Sequence, residues 1–357
     1  MNSKITSKIF LILIVLGILL AFSPILSKEL KFNSNIRDKA DIKLSVIAGK
    51  IHIDNNWTAA KTAGICTGEG TSSNPYVIQN FEIDAGGSGD CILIENSQIP
   101  SIYFIIRNCV LSNSGSFSGI KLYNVKNGEI TDNEFTNCGL AIGLSTNYPG
   151  GTSDILISRN NLHNNGGGIQ LYGASNTEVT GNTINDNSGI GIYFSYGDYN
   201  TISENTIINN VHGIYSYANW DYESEYNTIS RNLIRNNSGW GLFLADYVNL
   251  NDIFQNCFID NNGNAYGDGS NNNWDNGIKG NYWSDYTGSD SNNDGIGDTP
   301  HDIIGPAGSQ DNFPLMKCPI SGGFPILFVV LISVISGGAA VGIAAFLLIR
   351  RKRKRTE

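Results

Sequence analysis

Apolar residues recur at fixed distances from a series of asparagines along the middle of the chain. An Ile or Val lies three positions before each asparagine, and a Val, Phe, Leu or Ile lies two positions after it. The anchors, spaced by 25, 27, 22, 23, 27 and 24 residues, are Asn108, Asn133, Asn160, Asn182, Asn205, Asn232 and Asn256. Since 41% of the chain is apolar, fourteen apolar residues at fourteen such positions indicate a genuine internal repeat.

Each repeat is expected to contain short strands joined by asparagine corners. Segments with the pattern Gly-apolar-x-apolar are typical of strands with one buried face. Position five after the anchors is Asn in every repeat but one, where it is Cys138. Asparagine tolerates left-handed backbone and bonds to nearby backbone groups, and amides stacked at about 4.8 Å can bond from coil to coil as a ladder. In the first repeat this alignment places Ile105 and Val110 inside and Asn113 at a corner.

The repeat predicts an all-β fold, a right-handed single-stranded parallel β-helix with three short strands per coil. No repeat can bury its apolar side alone, whereas stacked coils share a continuous interior. The density of Gly and Asn and the two-residue alternation exclude a helical repeat. A weaker coil, with Ile78 and Ile83 at the apolar positions and Phe81 in the Asn place, precedes the regular ones.

The termini carry apolar segments that predict export and membrane anchoring. Ile9–Leu26 follows two lysines and lacks a recognisable cleavage motif, so it is either a signal peptide or a retained anchor. Phe324–Ile349 has no charge and is followed by six basic residues, which is typical of a membrane helix with a cytoplasmic tail. We therefore expect a cell-membrane protein with a C-terminal anchor, with or without an N-terminal one, and most of the chain extracellular. The predicted segments are a signal peptide or anchor (1–28), N-terminal cap strands (40–75), β-helix coils (76–265), an Asn/Asp/Gly-rich C-terminal cap (266–318), a transmembrane helix (324–349) and a basic tail (350–357).

The charge of the predicted extracellular part restricts its partners. Without the two termini, 15 cations face 31 anions, a net charge of −16. Such a surface repels nucleic acid and favours cations or neutral ligands. Six cysteines in an exported chain permit disulfides. We expect Cys66 to pair with Cys91 and Cys318 to stay unpaired.

Two motifs outside the regular coils add to the pattern. Gly68–Ile78 reads G-E-G-T-S-S-N-P-Y-V-I, and Asn281–Pro300 reads N-Y-W-S-D-Y-T-G-S-D-S-N-N-D-G-I-G-D-T-P. With these motifs and the coils, about residues 40–318 resemble the NosD-like group of right-handed β-helix surface proteins with pectin-lyase-like folds. The group's name implies copper handling, and copper sites use His, Cys and Met as ligands. We expect no copper site, because Met316 is the one Met of this part and no two histidines have ligand spacing; the histidines are His52, His163, His212 and His301.

Outward positions of the later coils form an aromatic row that predicts a ligand-binding face. The predicted contacts are Tyr172, Tyr193, Tyr215, Tyr217, Trp220, Trp240 and Phe243. Flat amphipathic rings beside carboxylates suit a glycan, because they stack on sugar faces and bond hydroxyls. The alternative is that aromatic ladders simply favour β pairing.

Catalysis requires more than such a face. The β-helix lyases that the chain resembles use an Arg or Lys base near carboxylates, and only Lys121 lies in this row. A polysaccharide hydrolase using two of Asp198, Asp221 and Asp246 remains an alternative, since two carboxylates at suitable separation are enough for inversion. The prediction that we favour is a scaffold or adhesion protein that binds glycans or neighbouring surface components, and a purely structural spacer is the third hypothesis.

An Asp-rich segment of the C-terminal cap predicts a calcium site. Calcium loops supply oxygens at positions 1, 3, 5, 7 and 9, with Gly at position 6. Counting from Asp290, Gly295 takes position 6, and His301 stands where position 12 is normally Glu. The predicted ligands are Asp290, Asn292, Asp294, Ile296 (through its carbonyl), Asp298 and Asp302. The alternative is a solvated polar turn.

Overall fold

The computed structural model describes residues 46–98 and 102–320, and all of these except Val46 belong to one compact unit. They contain 32 short strands and one six-residue helix, α1 (Trp57–Thr62). The predicted membrane segments near both termini lie outside the described residues. Within the described part, no helix combines the length and apolar character needed to cross a membrane.

Three long sheets of parallel strands run along the stack of coils, so the fold is a parallel β-helix with three strands per coil. Sheet 1 consists of β1 (Val46–Ala48), β4 (Phe81–Asp84), β7 (Val110–Ser112), β10 (Glu134–Thr136), β13 (Asn161–His163), β17 (Thr183–Asn185), β20 (Thr206–Ile208), β24 (Leu233–Arg235), β28 (Cys257–Ile259) and β30 (Tyr282–Trp283). Sheet 2 consists of β2 (Ile51–Asp54), β5 (Ile92–Glu95), β8 (Ser118–Tyr123), β11 (Leu140–Ser145), β14 (Ile169–Tyr172), β18 (Ile190–Ser195), β21 (His212–Ser216), β25 (Trp240–Leu244) and β29 (Gly263–Gly267).

Sheet 3 and two small pairings complete the strand inventory. Sheet 3 consists of β3 (Tyr76–Gln79), β6 (Phe104–Arg107), β9 (Lys126–Thr131), β12 (Thr152–Ser158), β16 (Glu178–Thr180), β19 (Thr201–Ser203), β23 (Thr228–Ser230) and β27 (Asp252–Phe254), with β15 (Ala174–Ser175) beside β12. The small pairs are β22 (Ser224–Glu225) with β26 (Val248–Asn249), and antiparallel β31 (His301–Asp302) with β32 (Gln310–Asp311).

The predicted interior positions are confirmed in six of the seven regular coils. The residue three before the anchor stacks on its equivalent in the next coil, as in the pairs Ile130↔Ile157 and Ile202↔Ile229. These side chains are fully buried, and so are those two positions after the anchors, such as Ile184 and Ile207. Because every coil adds the same apolar residues, the interior is one continuous column.

In the first regular coil the predicted alignment is wrong by one residue. Ile106 pairs with Ile130 and Leu111 pairs with Phe135, and both are fully buried, whereas Ile105 and Val110 face outward. Side chains alternate across a strand, so a slip of one residue exchanges its two faces. Both registers place apolar residues at both positions, which is why the repeat pattern did not distinguish them.

The same slip moves the corner and ladder positions of this coil. Asn108 takes the left-handed corner (φ 52°), as Asp132 does in the next coil (φ 56°). Cys109 occupies the anchor place, and its N–H donates to Asn133 Oδ1 at 3.0 Å. Asn113 is likewise a left-handed corner residue (φ 58°), and Ser114 takes the place five after the anchor.

The predicted asparagine ladders are confirmed. In the anchor ladder, Asn182 donates through both its backbone N–H and Nδ2 to Asn205 Oδ1, at 3.0 and 2.9 Å. Asn205 repeats this pattern with Asn232 in the next coil. The positions five residues after the anchors form a second ladder. A third ladder was not predicted and consists of Asn200, Asn227, Asn251 and Asn272.

The cysteine pairing predicted from the sequence is also wrong. Cys257 and Cys318 form a disulfide with a Cα–Cα distance of 5.4 Å, and Cys66 and Cys91 are free and buried. The Cys91 thiol contacts the carbonyls of Ile83 and Ser112. Because this disulfide joins residues 61 apart in sequence, it holds the end of the cap against β28 of sheet 1.

Aromatic packing covers the interior near both ends of the described stack. Trp57 of α1, a helix that the sequence did not predict, stacks on Tyr76 at 4.9 Å between ring centroids. At the other end Trp283 stacks on Phe258 at 4.5 Å. Asp311 continues the anchor ladder there, because its Oδ2 accepts from Asn281 N–H at 2.7 Å and from Trp283 Nε1 at 2.9 Å.

Candidate functional site

Four aromatic rings stack in register on the outer face of sheet 2. Tyr193, Tyr215, Phe243 and Tyr266 occupy equivalent positions of β18, β21, β25 and β29. Their centroid distances are 6.3, 4.6 and 4.7 Å, and the interplanar angles are 20°, 6° and 4°. The strand spacing brings equivalent rings into stacking contact, so this aromatic ladder follows directly from the register. The sequence reasoning missed Tyr266, although it follows the inward Ala265 as Phe243 follows Leu242.

Trp240 lies beside the aromatic ladder at the start of β25. Its ring centroid is 6.3 Å from that of Phe243 and 5.4 Å from that of Tyr266. Gly263 lies next to this ring, since a Cβ there would stand 2.3 Å from Trp240 Cζ3. The backbone N–H of Trp240 donates to His212 Nδ1 at 2.9 Å, and burial lowers the pKa of His212. This neutral imidazole therefore helps to position the tryptophan.

A group of exposed tyrosines continues this surface beyond the ends of the strands. Tyr196 is its centre, and edge-on contacts join its ring to Tyr172 at 5.3 Å, Tyr217 at 6.3 Å and Tyr222 at 6.0 Å. The outer three rings are between 40% and 53% exposed. Burial, together with nearby tyrosines, raises the pKa of Tyr193 and Tyr196, so both phenols are neutral hydrogen-bonding groups at ordinary pH.

Trp220 projects from a tight turn next to this group. Asn219 and Tyr222 exchange backbone hydrogen bonds at 3.1 Å, and Asn219 Oδ1 accepts from the N–H groups of Asp221 and Tyr222. The Trp220 side chain is 74% exposed at the tip of this turn. The hydrogen-bonded turn therefore holds this indole outward, where it contributes nothing to the core.

Tyr199 and Tyr226 form a separate stacked pair, with centroids 5.3 Å apart and planes 10° apart. Both have left-handed backbone, φ 58° and 55°, at a corner where the preceding coil has Asn176. Asparagine adopts this conformation at low cost, whereas a bulky residue there is unusual. The rings are 60% and 49% exposed, so they gain little from packing against the core.

Asp198 and Glu225 directly precede the two tyrosines of the stacked pair in the sequence, and Glu223 lies two residues before Glu225. Asp198 Oδ1 accepts from the Glu225 N–H at 2.9 Å, and the Glu223 carboxyl is near enough to that of Glu225 to contribute to its raised pKa. Burial raises the pKa of Asp198, and the charge of Glu223 adds to the increase. Burial also raises the pKa of Glu225, with further contributions from Glu223 and Asp198. The sequence reasoning did not pair Glu225 with Asp198.

The other two candidate catalytic residues lie apart from this contact. Asp221 is exposed in the Trp220 turn, and the exposed Asp246 carboxylate accepts from the Tyr247 N–H at 2.9 Å. The structure thus joins Asp198 to Glu225, a residue outside the set predicted for hydrolysis. Acid–base use of Asp198 with Asp221 or Asp246 stays a prediction.

The predicted calcium ligands lie in a turn that is closed by its own hydrogen bonds. Asp290 accepts from the N–H groups of Asp294 and Gly295, and Asp294 accepts from Ile296 N–H and Asn292 Nδ2. Asp298 accepts from Ser289 and Ser291, and Asp302 accepts from Gln310 Nε2 in the antiparallel hairpin. A carboxylate has about four acceptor sites, so these bonds leave lone pairs free, and calcium binding by this turn stays a prediction. His301, which stands at position 12 where calcium loops normally have Glu, stacks on Trp283 with 4.6 Å between ring centroids.

A polar groove of about 730 Å³ lies at the corner between sheets 1 and 2 in the earlier coils. Amides, carboxylates and glycines line it, including Asp84, Asn113, Asn137, Asn164 and Asp186. Several of these polar groups already bond to each other, as Asn113 Nδ2 does to Asp84 Oδ2 at 2.7 Å. The groove offers no ring surface of the kind that the later coils present.

Comparison with known proteins adds to this geometry. A protein-family model described as periplasmic copper-binding protein (NosD) matches residues 148–288. The chain is a parallel β-helix that is similar to the NosD family over these residues. Among solved structures, this NosD-like chain is similar to the Dettilon tailspike protein (13% identity, TM-score 0.41, 66% of this chain and 58% of that chain covered). It is also similar to a double mutant of the tailspike protein of E. coli bacteriophage HK620 in complex with pentasaccharide (14% identity, TM-score 0.35, 60% and 45% covered).

The NosD-like chain thus spans 58% and 45% of the length of these two tailspike chains. No curated protein sequence matches it.

The histidines do not fit the copper named in the family description. His52 bonds to Glu95 and His163 to Glu134, while His212 and His301 lie against Trp240 and Trp283. Four cysteines are buried separately from these rings. Within residues 46–98 and 102–320, no group of three or more His, Cys, Asp or Glu side chains is arranged to hold a metal. We therefore derive no function through copper.

Proposed function

We propose that this protein is a membrane-anchored surface β-helix whose aromatic face binds saccharide chains. The face is defined as the aromatic ladder of sheet 2, Trp240, the exposed tyrosines around Tyr196, and Trp220. The observation that carries the proposal is the continuity of this surface over successive coils. Rings spaced by the coil repeat suit a linear polymer with repeating apolar sugar faces, and phenols and carboxylates suit its hydroxyls.

Strand pairing alone explains only part of this face. Stacked rings on neighbouring strands stabilise a sheet, which accounts for Tyr215 on Phe243. It does not account for Trp220 at 74% exposure or Tyr217 at 45%, which lie beyond or at the ends of the strands. Contiguous exposed rings of this kind mark a contact surface.

Membrane anchoring rests on the charge-free segment 324–349 and the six basic residues after it. Protease treatment of intact cells that carry a tag after Glu357 tests it. We expect the coils to be digested while the tag is protected, because the basic tail favours the cytoplasm. Loss of the tag with survival of the coils contradicts this topology.

A glycan array probed with the full-length chain in mild detergent tests saccharide binding. We expect selective binding to extended saccharides. Analysis of the bound glycans after incubation should show that their length is unchanged. Shortened products would support the hydrolase alternative. A chain that binds no saccharide on the array would support the spacer hypothesis and contradict our proposal.

A further inference from the structure

The backbone N–H of Trp240 is bound by a side chain where the coil pattern provides a backbone carbonyl. In the next coil Gly263, which pairs with Trp240, donates its N–H to the Gly239 carbonyl at 3.3 Å. One coil earlier the corresponding carbonyl is that of Val211, and it accepts from the Gly239 N–H at 2.6 Å. The Trp240 N–H donates instead to His212 Nδ1 at 2.9 Å. The imidazole therefore replaces a backbone acceptor at this position.

The indole of Trp240 lies flat over the next coil. A Cβ on Gly263 would stand 2.4, 2.3 and 3.0 Å from the successive ring atoms Cε3, Cζ3 and Cη2. These distances place the glycine under the ring face, since a contact at the rim would leave Cη2 farther away. The indole plane is tilted by 51° from Phe243 and 52° from Tyr266, whose own rings stack within 4° and cover each other. Trp240 thus turns its second face away from the strand, where a sugar ring can stack on it.

The imidazole of His212 lies among uncharged groups. Among the described residues it forms no ion pair, and Ile190 is its partner on β18. On the side of β25 it packs against Gly239, where a Cβ would stand 2.6 Å from Nδ1. The titratable ring in contact with it is Tyr215, at 5.4 Å between centroids. Burial lowers the pKa of His212 and raises the pKa of Tyr215, so both groups are neutral at ordinary pH and Nδ1 is the unprotonated nitrogen.

We propose that His212 is the positioning residue of Trp240 and that its protonation releases bound saccharide in mild acid. The inference rests on the proposed function, because the indole acts on a saccharide that lies along the aromatic face. A protonated Nδ1 carries a hydrogen toward the Trp240 N–H, so two donors face each other and the hydrogen bond is lost. The indole then leaves its place over Gly263, and the sugar loses a stacking surface.

Acid weakens binding because the bound state favours the neutral imidazole. Above the ordinary histidine pKa of about 6.5, His212 is neutral and the affinity is constant. As the pH falls through the pKa of His212, which burial sets below that ordinary value, the affinity decreases. We expect a total loss of about tenfold, which corresponds to one aromatic contact of about 1.4 kcal/mol.

The amide resonance of Trp240 tests the positioning contact without any saccharide. Amide spectra of the isotope-labelled full-length chain in mild detergent are recorded from about pH 8 to about pH 5, together with the ring resonances of His212. We expect the amide signal to move with the midpoint of the imidazole, because it loses its acceptor there. An amide that stays in place while the ring titrates overturns the contact. A ring that does not titrate in this range overturns the release in mild acid.

Calorimetric titration at about pH 7.5 and about pH 5 tests the release itself. The probe is the uncharged saccharide that binds most tightly on the array, since it does not titrate. The unmodified protein should lose about tenfold in affinity at the lower pH. His212→Asn, whose amide oxygen accepts a hydrogen bond but does not titrate, should show no such loss. His212→Ala should bind about tenfold more weakly than the unmodified protein already at about pH 7.5.

The control is His163→Asn, a histidine of sheet 1 that bonds to Glu134, and it should keep the acid loss of the unmodified protein. An equal acid loss in His212→Asn overturns the inference while saccharide binding stands, and so does a control that abolishes the loss. Unweakened binding by His212→Ala at about pH 7.5 would show that His212 does not position the indole. If no saccharide binds at either pH, the proposed function is wrong, and the Trp240 amide still decides the positioning contact.

Discussion

Asn205 provides a sharp test of the asparagine ladder. Its side chain is 1% exposed, and its Oδ1 accepts from the N–H and the Nδ2 of Asn182. Its Nδ2 donates to the Val179 carbonyl at 2.8 Å and to Asn232 Oδ1 at 3.0 Å. Asn205→Ala therefore removes four hydrogen bonds at once and leaves the buried Asn182 N–H without its acceptor.

The expected cost follows from these contacts. An unsatisfied buried donor costs about 1–3 kcal/mol, and each further lost hydrogen bond about 0.5–1.5 kcal/mol. Asn182 Nδ2 keeps its bond to the Ile157 carbonyl at 2.9 Å, so the total is smaller than a sum over four isolated bonds. We expect a loss of roughly 3 kcal/mol in the free energy of unfolding.

Urea unfolding followed by far-ultraviolet circular dichroism measures this loss. The matched control is Asn185→Ala on neighbouring β17, where the side chain of a partly exposed asparagine donates to the adjacent Asp186 carboxylate. The control should change the free energy by less than about 0.5 kcal/mol, as for most surface substitutions. Equal effects of the two substitutions would refute the reasoning that the ladder holds the coils together.

Three further predictions concern the C-terminal cap. Burial raises the pKa of Asp311 to about 6 from 3.8, so its stabilising contribution is complete below about pH 4 and is lost as the pH rises through about 6. Asp311→Asn should remove a decrease of on the order of 3 kcal/mol in the free energy of unfolding over this pH range, as measured by urea unfolding. A pH profile equal to that of the unmodified protein would contradict this prediction. Replacing Cys257 and Cys318 by Ser should lower the free energy of unfolding by about 4 kcal/mol through the added chain entropy of the unfolded state, and reductant should mimic this in the unmodified chain but not in the variant. Calcium should raise the melting temperature of the unmodified protein but not that of the Asp294→Ala variant. If titration calorimetry shows no heat of calcium binding, the predicted calcium site is wrong.

The repeat made the main fold predictable because interior, corner and ladder positions recur together. Asn133 lies three positions after Ile130, as Asn205 lies three positions after Ile202, and the members of both pairs are buried in the structure. The first regular coil was misaligned because the predicted alignment placed the corner residue Asn108 at the anchor, and Ile105 and Ile106 are both apolar. Local apolar spacing cannot choose a register when two adjacent residues are both apolar.

Other features depend on contacts between distant residues. The Cys257–Cys318 bond joins residues 61 apart, and only the path of the cap brings them together. Asp198 and Glu225 each lie seven positions before an anchor, Asn205 or Asn232, so they are equivalent positions of neighbouring coils. The third asparagine ladder could have been found from the sequence, because Asn200, Asn227 and Asn251 each lie five positions before an anchor asparagine.

The aromatic face is the centre of the functional account, and calorimetric titration of a saccharide that binds on the array tests it most directly. The comparison is between the unmodified full-length chain, the triple variant Tyr193→Ser, Tyr215→Ser and Phe243→Ser, and the control Phe117→Ser, an aromatic residue that is 49% exposed three coils away from β18. Three lost ring contacts of about 1 kcal/mol each predict a loss of affinity of about 100-fold or more, with unchanged circular dichroism and an unaffected control. An affinity of the triple variant equal to that of the unmodified chain would contradict the account and leave the rings with a packing role alone.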